Sequence, residues 1–224
     1  MSTACVVWDI DDTLYLERSY ARSGFIAVGA WATDRLGVDG LGDICWERFE
    51  AGSRGRIFNE ALEALTVEAT PELIAETVGV YREHEPNIVL LPDAGRAVQA
   101  LRNAGIAMAA ITDGPTSSQR AKVKALGVNR FADPVLVTGD YGPGFGKPHP
   151  RAFRDVEDHL KLTGEQLAYV ADNPAKDFVS PRQLGWRTVR IRRTGGLHAE
   201  VAGGSDIDVE LSCLDELLPV LGIS

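Results

Sequence analysis

The sequence predicts a three-layer α/β fold, with a parallel sheet between helices, that also carries an all-helical insertion. Three observations lead to this class. Short apolar runs alternate with segments whose apolar residues recur at helical spacing, which is typical of parallel α/β domains. Residues 15–85, which follow the first run, contain no convincing strand. The 224 residues, 45% hydrophobic and 25% charged, suffice for one globular core with such an insertion.

Six apolar runs are predicted to be strands of a Rossmann-like sheet. The helical segments between them are recognised by their periodicity, as in "PDAGRAVQALRNAG", which ends at a glycine before the run "IAMAAI". The glycine-rich segment 193–206 is interpreted only as a connection. The predicted strands cover residues 4–8, 106–111, 134–138, 167–171, 187–191 and 207–211, and the predicted helices cover 92–105, 117–127, 153–160 and 214–221.

The insertion consists of four segments with helical patterns, from "YLERSYARSGFIAVGAWATDRLG" to "PELIAETVGVYREH". Pro86 marks its second junction, because proline disfavours helix at the preceding residue. The predicted domains are therefore a core, residues 1–14 and 86–224, and an insertion, residues 15–85.

Charge and cysteine content exclude several classes of partner. The formal net charge of −9 and the pI of about 5.0 give no general attraction to nucleic acid or to an anionic membrane surface. No apolar window is long enough for a membrane span, and the N-terminus lacks the pattern of a signal peptide. Cys5, Cys45 and Cys213 are odd in number and far apart, which favours a cytoplasmic setting. The oligomeric state stays open.

Carboxylates follow two of the predicted strands. Asp9, Asp11 and Asp12 come directly after the first run, and Asp172 and Asp177 follow the run at 167–171. Ligands of parallel sheets bind beyond the carboxyl ends of the strands, so two such clusters can share one Mg²⁺ ion. Each aspartate taken alone is also a common turn or helix-capping residue.

Two more strand ends offer groups suited to a phosphate. Thr112 in "AAITDGP" has a hydroxyl beside a tight turn, and Lys147 in "GFGKPHP" is a mobile point charge. Either residue alone is more often structural or solvated. An ATP-binding P-loop is rejected, because Tyr141 and Pro148 stand where that motif needs glycine and Ser or Thr.

Taken together, "DIDDT", "ITDG", "GKPHP" and "ADNPAKD" resemble the four motifs of the haloacid dehalogenase-like superfamily. The insertion after the first motif is similar to the cap domain of its helical-cap branch. The resemblance implies that Asp9 is a nucleophile forming an aspartyl-phosphate and that Asp11 is the general acid and base. Asp12 receives no chemical role.

The resemblance also implies the ligands of the cofactor and of the substrate. Mg²⁺ would be held by the Asp9 carboxylate, the Asp11 carbonyl and Asp172, while Asp177 would orient a metal-bound water or Lys147. The phosphoryl oxygens would contact Thr112, Lys147 and the amides of Asp113 and Gly114.

Family branches that cleave carbon–halogen bonds generally lack an aspartate at the position of Asp11, so hydrolysis of a small phosphomonoester is favoured. The leaving group could be a sugar, a nucleoside or an acid. A phosphomutase, which would keep both carboxylates, remains an alternative, although Thr13 slightly favours hydrolysis. A silent phosphate-binding module is the second alternative. Arg54 and Arg56, in a loop of the insertion, are candidates for binding the substrate, and solvated loop arginines are an equally good interpretation.

Overall fold

The structure is a computed structural model that describes residues 3–223. Within these residues the core is a six-stranded, all-parallel sheet with the order β3-β2-β1-β4-β5-β6. The predicted α/β class is thereby confirmed. The strands are β1 (Cys5–Trp8), β2 (Ala107–Thr112), β3 (Val135–Val137), β4 (Leu167–Ala171), β5 (Arg187–Ile191) and β6 (Val209–Leu211).

The central strands are buried on both faces, as the continuous apolar runs in the sequence indicate. Every side chain of β1 and of β4 is buried. Cys5 and Val7 belong to a core cluster with Phe153 and Trp186, so one face of the sheet packs against aromatic residues that follow in the chain. Burial of this kind fixes the register of the strands and therefore the places where they end.

The helices connect the strands or form the insertion. The chain forms two compact units, one holding the residues up to Glu17 and from Val89 onward, the other holding Arg18–Ile88. The helices are α1 (Glu17–Leu36), α2 (Leu41–Glu50), α3 (Ile57–Ala64), α4 (Pro71–Glu83), α5 (Pro92–Asn103), α6 (Thr116–Leu126), α7 (Arg151–Leu160), α8 (Val179–Gln183) and α9 (Leu217–Leu221).

The helical unit, Arg18–Ile88, has its own hydrophobic core, which includes Phe25, Leu41 and Leu62. At Gly42, helix α2 approaches the backbone of α1 closely: a Cβ atom there would lie 2.4 Å from the Phe25 carbonyl oxygen. Only glycine permits this approach without a shift of the backbone.

The two edge strands are each two residues shorter than their predicted runs. β3 begins after Pro134, which has no N–H to donate to a ladder, and Thr138 already belongs to a short 3₁₀ turn. β6 covers only Val209–Leu211 at the edge of the sheet. Helix α1 begins at Glu17 rather than at Tyr15, because the Asp12 carboxylate accepts a hydrogen bond from the Glu17 amide at 2.9 Å.

Candidate active site

The strand order places the candidate residues at the centre of the sheet. β1 lies between β2 and β4, so the chain reverses its direction of winding there, and ligands of such sheets bind outside the strand ends at that point. Asp9 follows β1, Thr112 ends β2 and Asp172 follows β4. The three side chains come from neighbouring strands at the same edge.

Lys147 joins two of the aspartates. Its Nζ atom lies 2.5 Å from Asp9 Oδ1, 2.7 Å from Asp177 Oδ1 and 3.0 Å from the Tyr169 hydroxyl. The lysine side chain is 1% exposed. Desolvation alone would lower the pKa of Lys147, but the charges of Asp177 and Asp9 raise it well above its ordinary value. The lysine is therefore a permanently charged group within the acidic cluster.

Asp9, Asp172 and Asp177 form a buried cluster whose carboxylate oxygens lie within 4.8 Å of one another. Burial, together with the charges of Asp9 and Asp177, raises the pKa of Asp172 to about 9. Burial also raises the pKa of Asp9 to about 7, although Lys147 acts against it. One lysine does not compensate three carboxylates.

The donor set of this cluster fits a divalent cation. Within residues 3–223 the Asp172 carboxylate, 7% exposed as a residue, makes no hydrogen bond or ion pair. Such a buried carboxylate is costly unless a cation binds it. Asp177 is held in place by the Asn173 amide, which donates to its Oδ2 at 3.0 Å. Clustered carboxylate oxygens are the ligands that hard cations such as Mg²⁺ prefer.

The Asp11 carboxylate belongs to a different group of contacts. Its Oδ1 accepts hydrogen bonds from the Tyr15 hydroxyl at 2.5 Å and from Lys122 Nζ at 2.7 Å. Its Oδ2 accepts from Gln119 Nε2 at 3.1 Å. Burial would raise the pKa of Asp11, but Lys122 and these donors lower it below the ordinary value. The predicted role of the Asp11 carbonyl as a metal ligand stays a prediction.

Asp12 has a structural role, in agreement with the absence of an assigned chemistry. Its φ is 49°, in the left-handed region that aspartate tolerates better than most residues. Oδ1 accepts from the Glu17 amide, and Oδ2 accepts from the Leu197 amide at 2.8 Å. Asp12 therefore fixes the first residue of α1 and also ties the glycine-rich segment 193–206 to the β1 end.

The glycine-rich segment is thus more than the connection that the sequence indicates. Asn173 Nδ2 lies 3.0 Å from His198 Nε2, and Arg190 donates to the carbonyl groups of Asp172 and His198 at 3.0 and 2.8 Å. These contacts tie the segment to the strand ends that carry the acidic cluster.

The predicted phosphate-binding residues are linked to each other by side chains. The Thr112 hydroxyl donates to Gln119 Oε1 at 2.7 Å. The Asp113 carboxylate accepts from the Thr138 hydroxyl at 2.6 Å, from the Lys147 amide at 3.1 Å and from Lys176 Nζ at 2.8 Å. Asp113 therefore positions the loop that carries Lys147.

Gly114, next in the chain, has a φ of 145°, a value that L side chains rarely adopt. A Cβ at this position would lie 2.9 Å from Gln119 Nε2. The turn after β2 therefore depends on glycine to leave room for the Gln119 amide. Phosphate binding by the amides of Asp113 and Gly114 stays a prediction.

The sequence interpretation did not include Tyr15, Gln119, Lys122 and Lys176. One signal was available: Gln119 and Lys122 lie three positions apart in α6, directly after "ITDGP", and therefore on one face of that helix. Both residues are nevertheless polar, and a polar residue in a helix is normally read as solvated.

Arg54 and Arg56 lie in the helical unit. Arg54 Nη1 donates to the carbonyl groups of Phe49 and Ser53 at 2.9 and 2.6 Å, and its guanidinium lies 4.1 Å from the Phe49 ring centroid. Arg56 has a side chain that is 71% exposed and 3.9 Å from Glu63. The guanidinium of Arg54 is thus used within its own loop, and substrate binding by either arginine stays a prediction.

Comparison with known proteins decides the family. The model of the haloacid dehalogenase-like hydrolase family matches residues 3–185. The chain belongs to this family. The resemblance inferred from the four motifs is thereby confirmed, and so is the prediction that the protein is a hydrolase.

The curated relatives of this haloacid dehalogenase-like hydrolase include phosphatases. A glyceraldehyde 3-phosphate phosphatase of Methanocaldococcus jannaschii is 27% identical over 226 residues, which cover 96% of both chains. A phosphoserine phosphatase of Thermus thermophilus is 34% identical over 181 residues, which cover 81% of this chain and 63% of that one.

A solved member of the family has the same fold. The putative HAD-hydrolase YfnB of Bacillus subtilis superimposes with a TM-score of 0.69 over 100% of both chains, at 17% identity. Among residues 3–223 of the present hydrolase, no helix has the length and apolar character needed to cross a membrane.

Proposed function

We propose that this protein is a magnesium-dependent phosphatase that hydrolyses a small phosphomonoester through an aspartyl-phosphate. The observation that carries the proposal is the arrangement around Lys147: its ammonium group bridges Asp9 and Asp177, while the neighbouring Asp172 carboxylate has no partner among residues 3–223. One cluster would thus provide the nucleophile, Asp9, the cation for the phosphoryl oxygens, Lys147, and the carboxylates that bind the metal.

In the first half of the proposed reaction, an Asp9 carboxylate oxygen attacks phosphorus, and the bond from phosphorus to the ester oxygen breaks. Lys147 neutralises charge on the phosphoryl oxygens, and the Thr112 hydroxyl turns from Gln119 Oε1 to donate its hydrogen bond to them. Asp9, Asp172 and Asp177 would hold Mg²⁺, which supplies further positive charge to the phosphoryl group when it is bound. Asp11 gives its proton to the leaving oxygen.

In the second half, Asp11 accepts a proton from a water molecule, whose oxygen attacks the aspartyl-phosphate and releases inorganic phosphate. Asp9 is then a free carboxylate again, and Asp11 is protonated for the next cycle. The position of Asp11, two residues after the proposed nucleophile, partly buried and with three hydrogen-bond donors, supports this assignment.

The proposal extends to the helical unit and to the substrate. The helical unit would act as a cap that excludes water and contacts the leaving group. The M. jannaschii and T. thermophilus relatives are named for glyceraldehyde 3-phosphate and phosphoserine. Phosphorylated three-carbon metabolites are therefore the first substrates to test. A cytoplasmic location, consistent with the free thiols of Cys5, Cys45 and Cys213, belongs to the same proposal.

The test is release of inorganic phosphate from glyceraldehyde 3-phosphate, phosphoserine and phosphoglycolate, with MgCl₂ and with EDTA. Wild-type protein is compared with Asp9→Asn and with Asp158→Asn, which makes the same change at an exposed position of α7. Magnesium-dependent release that Asp9→Asn abolishes and Asp158→Asn preserves supports the proposal. Equal rates in the wild type and Asp9→Asn would show that Asp9 is not the nucleophile.

A mass increase of one phosphoryl group on the wild-type chain, trapped by acid quenching during turnover, would identify the covalent intermediate. The same increase in Asp9→Asn would place the phosphoryl group elsewhere. Transfer of phosphate to a second position of a sugar, in place of release, would indicate a mutase.

A further inference from the structure

The two oxygens of the Asp11 carboxylate have unequal partners. Oδ1 accepts from the Tyr15 hydroxyl and from Lys122 Nζ at 2.5 and 2.7 Å, distances typical of charge-assisted hydrogen bonds. Among residues 3–223, Oδ2 accepts only from Gln119 Nε2, at 3.1 Å. The same amide nitrogen has a second acceptor, the Asp113 carbonyl oxygen, at 3.3 Å. The contact to Oδ2 is therefore the one that is most easily given up.

Lys122 is buried to a degree that is unusual for lysine. Its side chain is 3% exposed, and its ammonium group also lies 3.8 Å from a Glu17 oxygen. Apolar residues of similar volume generally replace a buried ion pair without loss of stability, so stability alone does not explain a lysine at this position. The placement of its charge against Asp11 points to a function for this residue.

The geometry resolves a conflict in the proposed mechanism. As a general acid, Asp11 must carry a proton, yet three donors surround it. A protonated carboxyl group with its proton on Oδ2 still accepts both strong bonds at Oδ1, while Gln119 turns to the Asp113 carbonyl. The same two bonds at Oδ1 persist when Oδ2 is ionised and accepts a proton from water.

We propose that Lys122 and Tyr15 are positioning residues that hold Oδ1 of Asp11, so that Oδ2 is the atom that gives a proton to the leaving group and accepts one from water. This assignment rests on the phosphatase function proposed above. Lys122 and Tyr15 act only through Asp11 and do not touch the phosphoryl group.

The test compares two esters that differ in their need for a proton. The phenolate of p-nitrophenyl phosphate leaves without protonation, whereas the alkoxide of an alkyl phosphate requires it. The alkyl ester is glyceraldehyde 3-phosphate or phosphoserine, whichever the wild type turns over faster. The measured quantity is kcat/KM, which reports on the steps up to departure of the leaving group.

Lys122→Met keeps the length of the side chain and removes its charge. We expect kcat/KM for the alkyl ester to fall about 10- to 100-fold and that for p-nitrophenyl phosphate to fall less than about 3-fold. Lys124→Met removes an ammonium group from the exposed side of the same helix and should leave both values unchanged. In an Asp11→Asn background, Lys122→Met should cause no further loss, because residues that act as one unit are not additive.

Equal losses for the two esters, a further loss in the Asp11→Asn background, or no loss at all would overturn the assignment. Tyr15→Phe removes a single hydroxyl and carries the same comparison if Lys122→Met does not fold, as judged by circular dichroism. It should give a smaller loss with the same dependence on the leaving group, and an equal loss for both esters would again overturn the assignment.

The two proposals fail in different ways. A wild-type protein that turns over neither ester with Mg²⁺ overturns the phosphatase function, and the assignment of Lys122 and Tyr15 with it. If the wild type is active and its activity depends on Asp9, but Lys122→Met or Tyr15→Phe lowers kcat/KM equally for both esters, only the assignment is overturned.

Discussion

Lys147 Nζ lies 2.5 Å from Asp9 Oδ1, although the two residues are 138 positions apart in the chain. The contact is buried, with side-chain exposures of 1% and 6%. It is made possible by the Asp113 carboxylate, which accepts the Lys147 amide and so fixes the loop that carries the lysine. The proposed nucleophile and the cation beside it are thus positioned by residues that follow three separate strands.

Lys147→Met should abolish turnover and also destabilise the metal-free protein. Removing the lysine leaves Asp9 and Asp177 without their cation, and loss of one partner of a buried pair costs about 3–5 kcal/mol. Urea unfolding measures the free energy of unfolding with and without MgCl₂, and Mg²⁺ should restore part of the loss. Lys124→Met is the control, and equal stabilities of the two variants would contradict the prediction.

Asp172→Asn should separate metal binding from stability. Since Asp172 lies beside Asp9 and Asp177 and has a raised pKa, its neutralisation relieves repulsion in the metal-free protein. The variant should therefore be at least as stable as the wild type in EDTA. Mg²⁺ should raise the melting temperature of the wild type and of Asp158→Asn but not that of Asp172→Asn. An equal rise in all three proteins would exclude Asp172 as a ligand.

Asp93 should make the core sensitive to acid. Burial would raise the pKa of Asp93, but the Leu214 amide and the Arg193 guanidinium, 2.9 and 2.6 Å from its Oδ2, lower it below the ordinary value. The stabilisation is therefore present above the unfolded pKa of about 3.9 and is lost as the pH falls through the folded value.

The matching variant is Asp93→Asn. At pH 7 it should lower the free energy of unfolding by about 3 kcal/mol, because it removes the charge that pairs with the buried Arg193 guanidinium, which otherwise bonds the neutral Thr13 carbonyl. The difference from the wild type should shrink between pH 5 and pH 3, as measured by urea unfolding at each pH. A difference that stays constant over this range would show that the charge of Asp93 is not the cause.

Gly42→Ala tests the close approach within the helical unit. A Cβ at Gly42 would lie 2.4 Å from the Phe25 carbonyl oxygen, so the variant should lose about 1–3 kcal/mol of stability. Gly79→Ala is the matched control in α4, where a Cβ meets nothing within 4 Å, and it should gain about 0.5–1 kcal/mol. Thermal unfolding of the two variants should therefore shift in opposite directions.

The sheet could be predicted from sequence because its central strands are buried on both faces. In β1 and β4 every residue is apolar, and such runs have few other interpretations. The edge strands β3 and β6 are shorter than the sequence predicts. In β3 the pairing is limited by Pro134, which has no N–H to donate, and by the 3₁₀ turn that begins at Thr138.

The environment of Asp11 could not be predicted from sequence. Lys122 and Gln119 are 111 and 108 positions from Asp11, and only the folded chain brings this face of α6 into contact with its carboxylate. The chemistry of a lysine or glutamine side chain does not indicate which distant residue it will contact. Asp9 and Asp172, in contrast, follow strands whose ends are fixed by the sheet, so their position could be inferred.

The two chain segments that flank the helical unit are hydrogen-bonded to each other within the core. The Leu91 amide donates to the Leu14 carbonyl oxygen at 2.9 Å, so the chain departs and returns at adjacent points. Any segment inserted between these two points has to begin and end at the same short distance, whatever its length. Doubling the length of such a loop costs only about 0.6 kcal/mol. Residues 18–88 can therefore be exchanged for another folded unit of different length while the sheet and the strand ends of the candidate site stay as they are.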